Sequence, residues 1–229
     1  MTAADYVLHH GDCIEVMATM APGSIDAIVC DPPYGLGFMG KAWDDLPPSE
    51  PWARECLRVL KPGGHLLAFG GTRTSHRLAV AIEDAGFEIR DALAWMHGQG
   101  FPKGKAQLKP AYEPIIMARK PFVGSMTANV AVFGTGGLQI DAARVQYVSD
   151  ADRDQTRVPV PIQRNDARGV YMSGTGVRRT GDIFEPSTAG RWPANVVLDE
   201  SQAAMLDEQS GTSSSLMRIG KRTGKASTP

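Results

Sequence analysis

An apolar run, Ala27-Ile28-Val29-Cys30, is cut off by Asp31-Pro32-Pro33-Tyr34, and no other stretch of the chain restricts the fold so tightly. Four consecutive apolar residues bounded by a turn read as a buried strand. Two prolines cannot donate to a sheet ladder, so the strand must stop there. The residue before a proline is pushed into an extended shape, so Asp31 is pre-set at the strand's C-terminal end. In open α/β sheets, that end is where ligands bind.

The same four residues carry chemistry. An ionised Asp only accepts hydrogen bonds, and Pro32 offers a carbonyl with no competing N–H. Together the Asp31 carboxylate and the Pro32 carbonyl form a two-acceptor cradle, suited to the two N–H donors of an exocyclic amine on adenine or cytosine. Pro33 fixes the loop, and Tyr34 offers a ring face on which a base can stack. A plain strand-to-turn corner is the competing reading of this tetrapeptide.

The surrounding pattern predicts alternating strands and helices over the first 120 residues. Tyr6–His10 reads as a short strand and Cys13–Met20 as a helix. Asp26–Cys30 is the next strand, followed by a Gly-, Pro- and Asp-rich loop to Pro48. Ser49 suits an N-cap, with Pro51 in the first turn, and Lys61-Pro62-Gly63-Gly64 reads as the stop of that helix. His65–Phe69 reads as a buried strand ending at Gly70-Gly71-Thr72. Ser75–Ala85 reads as a helix stopped by Gly86, and Phe87–Met96 and Ala111–Ala118 read as strands. Strands separated by helices of this length predict a doubly wound α/β sheet, mostly parallel.

After Lys120 the periodicity fades. From Arg144 to Arg191 there are eight arginines and no lysine, with seven acids interleaved counting Asp141. Arg reads guanine edges and phosphates bidentately, so Arg144, Arg164, Arg168, Arg178, Arg179 and Arg191 are candidate DNA-binding residues. A solvated loop is the alternative. Gly134-Thr135-Gly136-Gly137 reads as a loop. Gly190–Asn195 leads into a short strand, Val196–Leu198, and then a helix over 199–209. The small, polar, basic end from Ser210 reads as a flexible tail. The expected organisation is 1–120, a catalytic half; 121–198, a target-recognition region; and 199–229, a helix and tail.

Composition sets outer limits. The 229 residues suit one medium domain, and a net charge of −1 neither requires nor excludes a nucleic-acid partner. No apolar run approaches the ~20 residues of a membrane span, so the reading is of no membrane partner. Three widely spaced cysteines, Cys13, Cys30 and Cys56, fit a reducing cytoplasm rather than a disulfide framework. The five histidines make no metal-ligand spacing, so no metal is expected.

The ordered set Gly11-Asp12-Cys13, Asp31-Pro32-Pro33-Tyr34, Leu57–Gly64, Leu66–Gly71 and Ala111–Ile116 resembles the β-group of DNA amino-methyltransferases. In that group the D-P-P-Y motif precedes the recognition region, and Gly190–Asn195 is similar to phage and prophage members. The resemblance implies a Rossmann-like methyltransferase sheet, S-adenosylmethionine as methyl donor and double-stranded DNA as partner. It implies the cytoplasm of a bacterium or a phage-infected host as location. It also implies that Asp31 and Pro32 hold the target amine while Tyr34 stacks. Asp12, with Cys13 beside it, would accept from the cofactor's adenine amine, although an Asp there also suits an N-cap. Phe38 and Trp43 would close the pocket or pack the loop, and Gly70-Gly71-Thr72 would line its floor or simply turn. Asp in the first motif position points to adenine N6, with cytosine N4 the alternative.

The group's F-x-G-x-G turn and its H-P-T-x-K-P segment do not occur in this sequence. The expectation is therefore a sheet lacking two strands between Tyr6–His10 and Asp26–Cys30. A second polypeptide carrying F-x-G-x-G would complete it. The competing expectation is a non-catalytic DNA-binding remnant or subunit of a split enzyme.

Overall fold

The structure is a computed structural model, and it describes residues 6–37, 40–45, 48–97, 100, 105–106, 108–155, 158–159, 183–184 and 186–210. Helix α1 spans Cys13–Ala18 and strand β1 Ile25–Cys30. Helix α2 covers Glu50–Val59, strand β2 Leu60–Phe69 and helix α3 Ser75–Asp84. Strands β3 (Glu88–Met96) and β4 (Tyr112–Arg119) follow, then helix α4 (Met126–Phe133) and helix α5 (Asp150–Gln155). The short strands β5 (Val158–Pro159) and β6 (Ile183–Phe184) pair with each other. Strand β7 is Val196–Leu198 and helix α6 is Glu200–Ser210.

The main sheet runs β1-β2-β4-β3-β7. β1 pairs parallel to β2 and β3 parallel to β7, while β4 is antiparallel to both its neighbours. The sheet is thus a mixed, incomplete Rossmann-like one rather than mostly parallel. The reason lies in the connections: α2 and α3 follow β1 and β2, whereas β3 returns directly into β4. One end of this sheet collects the C-terminal ends of β1, β2, β3 and β7 and the start of β4.

Two further sequence expectations are corrected. Tyr6–His10 forms no strand and is exposed, with Leu8 86% accessible. Among the described residues β1 pairs only with β2, so no neighbouring strand is present for Tyr6–His10 to join. The second concerns Lys61–Gly64, which does not separate a helix from a later strand. α2 ends at Val59 and β2 begins at once at Leu60. Ile25 pairs with Leu60 and Ala27 with His65, so two steps along β1 face five along β2. The Pro-Gly-Gly segment takes up the difference as a bulge, with Gly63 at φ +80°.

The core lies between one sheet face and the helices. Trp52, Ala53 and Cys56 of α2 and Leu78 and Ile82 of α3 pack on Leu66, Ala68, Ile116 and Ala118. Ile14 and Met17 of α1 and Ile28 and Cys30 of β1 join at its margin. Helix α4, which the fading periodicity did not predict, anchors the bulge instead. The buried Asn129 donates through Nδ2 to the Pro62 carbonyl (2.9 Å) and the Thr135 carbonyl (2.7 Å), and the Thr135 hydroxyl donates to Pro62 (2.6 Å). Gly134–Gly137 is therefore a packed loop, as expected of a segment that turns rather than cradles a ligand.

Candidate active site

The Asp31–Tyr34 loop leaves β1 at the collecting end of the sheet. Asp31 is exposed, while Pro32, Pro33 and Tyr34 are half-buried. Tyr34 turns inward across β2: a Cβ added at Gly71 would lie 3.2 Å from Tyr34 Cδ2, so glycine there lets the ring pack against backbone. Gly71 also starts α3, its carbonyl accepting from Thr74 N (3.0 Å) and Ser75 N (2.8 Å). The turn reading of Gly70-Gly71-Thr72 describes what is seen.

The Tyr34 hydroxyl donates to Glu113 Oε2 at 2.9 Å, on the first turns of β4. Burial, then the hydrogen bonds to Glu113 and Asp31, raise the Tyr34 hydroxyl well above its ordinary range. It remains a protonated donor to Glu113. Glu113 Oε1 lies 3.7 Å from His97 Nε2, and that nitrogen is buried without a hydrogen-bond partner among the described residues. His97 neighbours Trp95, which stands edge-on to Phe69 with ring centres 5.8 Å apart.

The loop beyond Tyr34 is fixed from beneath. Asp44, 3% exposed, accepts from Gly35 N (2.9 Å) and Leu36 N (3.3 Å), and its carbonyl accepts from Gly37 N (2.8 Å). Trp43 beside it is 62% exposed, and Phe38 lies outside the described residues.

Asp12 caps α1: its Oδ1 accepts from Ile14 N (2.9 Å) and Glu15 N (3.2 Å). Oδ2 takes no part in that cap, and both Asp12 and Cys13 are exposed. Cys30 donates to the Leu67 carbonyl, and burial followed by Asp31 pushes its thiol up to about 12.

Arg144 and Arg191 lie together, away from the Asp31–Tyr34 loop in sequence but joined to each other by the Val145–Arg191 bridge. Arg144 binds Asp141 (2.8 Å) and the Gly190 carbonyl (3.1 Å) and lies over Trp192. Arg191 pairs with Asp152 and covers Tyr147. Arg164, Arg168, Arg178 and Arg179 fall outside the described residues, as does 211–229. No group of three or more His, Cys, Asp or Glu side chains able to hold a metal occurs among the described residues. No helix among them is long and apolar enough to cross a membrane.

Glu113, His97 and Asp44 were not singled out from sequence. Glu113 had a signal, an acid inside the otherwise apolar strand Tyr112–Ala118. Asp44 had none, because a buried carboxylate under a loop looks like any loop acid until its partners are known.

A sequence profile of the N6 and N4 methyltransferases, described as DNA methylase, matches residues 25–196. The Type II methyltransferase M.HpaI of Haemophilus parainfluenzae is 32% identical over 117 residues, covering 48% of this chain and 37% of that protein. The Type II methyltransferase M.HindIII of Haemophilus influenzae is 24% identical over 187 residues, covering 53% of this chain and 60% of that protein. The chain thus spans less than two thirds of the length of either relative. The solved M1.HpyAVI–SAM complex is 21% identical with a TM-score of 0.36, over 49% of this chain and 55% of that one.

Proposed function

The chain belongs to the DNA methylase family of N6 and N4 methyltransferases, and from that premise we propose that it methylates the exocyclic N6 amine of adenine in double-stranded DNA with S-adenosylmethionine. The observation that carries this is the Asp31–Tyr34 loop at the end of β1, with the Tyr34 ring fixed by Gly71 and its hydroxyl by Glu113.

The chemistry follows from the acceptors. The lone pair of an aromatic amine is delocalised and weakly nucleophilic. The Asp31 carboxylate and the Pro32 carbonyl, placed on the two amine hydrogens, favour a pyramidal nitrogen and stabilise its developing positive charge. Stacking on Tyr34 holds a base taken out of the duplex, worth ~1–3 kcal/mol. S-adenosylmethionine, when bound, supplies the electrophilic methyl group. Of this chain's residues, Asp12 fits the cofactor's adenine end, since its exposed carboxylate keeps Oδ2 outside the cap bonds, with Cys13 alongside. Residues 121–198 serve as the target-recognition region in this reading, with Arg144, Arg164, Arg168, Arg178, Arg179 and Arg191 as DNA contacts. A bacterial cytoplasm is the matching location.

The test is methyl transfer from labelled S-adenosylmethionine to mixed-sequence duplex DNA, run with the chain alone and with a polypeptide carrying F-x-G-x-G, followed by nucleoside digestion. Labelled N6-methyladenine is expected, falling at least ~100-fold in Asp31→Ala. N4-methylcytosine as the product would replace the adenine assignment. DNA binding without transfer in either arm would make the chain a non-catalytic subunit or remnant.

A further inference from the structure

Beyond Glu113, on the side away from Asp31, a cleft of about 530 Å³ opens at the same end of the sheet, lined by Trp95, His97, Glu113, Asp199, Glu200 and Ser201. We propose that it is a second nucleobase subsite, which takes an unpaired adenine or cytosine of the bound DNA by its amine-bearing edge. This rests on the reading of the chain as one that acts on DNA bases.

The hydrogen-bonding pattern of the cleft selects that edge. Glu113 Oε2 is occupied by Tyr34, while Oε1 makes no hydrogen bond among the described residues. His97 Nε2 stands 3.7 Å from Oε1, beyond hydrogen-bond reach, and buried without a partner among the described residues. A buried polar atom left unpaired is costly, and a ligand that satisfies it gains accordingly. With its proton on Nε2, His97 donates while Glu113 accepts. Adenine presents the complement, an N6–H donor beside the N1 acceptor, and cytosine presents N4–H beside N3. Seated in the same orientation, thymine and guanine put a carbonyl where the amine stands, so an acceptor meets Glu113 and an N–H meets His97.

The walls agree with a base rather than a phosphate. Trp95 is 37% exposed and stands edge-on to Phe69, which leaves ring surface turned to the cleft. Glu113, Asp199 and Glu200 make the surroundings acidic, which repels a phosphate. The volume lies within the range of small-molecule sites. Glu113 therefore joins two functions: one oxygen fixes Tyr34 and the other faces the second base.

Titration of the full chain with single-stranded oligodeoxyadenosine, oligodeoxycytidine and oligothymidine, followed by tryptophan fluorescence, tests this. Quenching by the first two is expected at concentrations at least roughly tenfold below those needed for oligothymidine. In an Asp31→Ala background, which removes the first amine site, Trp95→Phe should remove most of the remaining quenching and His97→Ala should erase the remaining preference over oligothymidine. Circular dichroism of Trp95→Phe checks the Phe69 contact, and His97→Ala carries the test if that variant unfolds. Equal quenching by oligothymidine, or a remaining preference in the Asp31→Ala background that His97→Ala leaves unchanged, overturns the second subsite. Absence of quenching in a chain that transfers methyl groups overturns the subsite alone; absence of both overturns the functional reading as well.

Discussion

The Tyr34 hydroxyl donates to Glu113, and the direction of its shift has a pH consequence. Its folded-state pKa is raised above the ordinary 10.0, first by burial and then by its carboxylate partners. A raised folded value means that the native state keeps a proton the unfolded chain loses. The stabilisation is complete below the unfolded value and is lost as pH rises beyond it. Unfolding free energies of wild type and Tyr34→Phe should therefore differ by a constant amount up to about pH 10 and converge above it. A gap that stays constant into stronger alkali would contradict a buried hydroxyl bonded to Glu113. Asp44 acts at the same scale. Replacing it by Ala strips the acceptor from two loop N–H groups, at a cost of about 1–3 kcal/mol, while Asp44→Asn, which keeps one acceptor oxygen, should lose less. Denaturant titration measures both, and transfer activity should fall in the same order, because this loop carries Tyr34. The thiols divide by burial. Cys56, 1% exposed and pushed up to about 12, should resist iodoacetamide at about pH 8 until the chain unfolds, while the exposed Cys13 should react first, as peptide mass spectrometry would show.

At the scale of elements, the bulge in β2 and helix α4 hold each other. An added Cβ at Gly63 would lie 2.6 Å from Asn129 Nδ2 and 2.9 Å from Gly136 Cα, at a backbone φ of +80°. Gly63→Ala should cost about 2–4 kcal/mol, from left-handed strain together with overlap. Gly23→Ala, at φ +64° with open space around it, isolates the strain and should cost about 1–2 kcal/mol. Equal urea midpoints for the two variants would mean that the clasp is not a packing constraint. This junction also marks where sequence reading stopped. β1, α2, α3, β3 and β4 were legible because apolar period and Gly or Pro punctuation agreed over each. Lys61–Gly64 carries the same punctuation, yet it is a bulge, because pairing to β1 outweighs the local stop signal. Helix α4 was missed because its one buried residue is the polar Asn129, so the period that marks a helix has nothing to repeat. The Asp31–Tyr34 loop was legible because proline fixes backbone from sequence alone. Glu113 and His97 belong to β4 and the end of β3, and only the antiparallel register of those strands brings them beside Tyr34.

For the whole molecule, the open flank of the sheet is the dominant physical fact. β1 carries the Asp31–Tyr34 loop, yet among the described residues it pairs on one side only. Its residues alternate: Ile28 and Cys30 face the core cluster, whereas Val29 is 69% exposed. Nearby in sequence, Tyr6, Val7 and Leu8 are 73%, 77% and 86% exposed. An apolar strand of a parallel pair is ordinarily covered on both faces and both edges. Unpaired N–H and C=O groups beside exposed apolar side chains make a template for another strand. The isolated chain should therefore self-associate in the micromolar range and above, with a sedimentation coefficient that rises with concentration. Val29→Lys places a charge on the exposed face without touching the core side of β1, and it should shift the distribution towards monomer. A double variant that also makes Val7→Lys should shift it further if the exposed 6–10 segment contributes to the same contact. The substitutions leave Asp31, Tyr34 and Glu113 in place, so DNA binding measured on the monomeric variants reads the site without the association. A wild-type chain that sediments as a concentration-independent monomer would show that the flank is already covered, and the search for its cover would then turn to the segments outside the described residues.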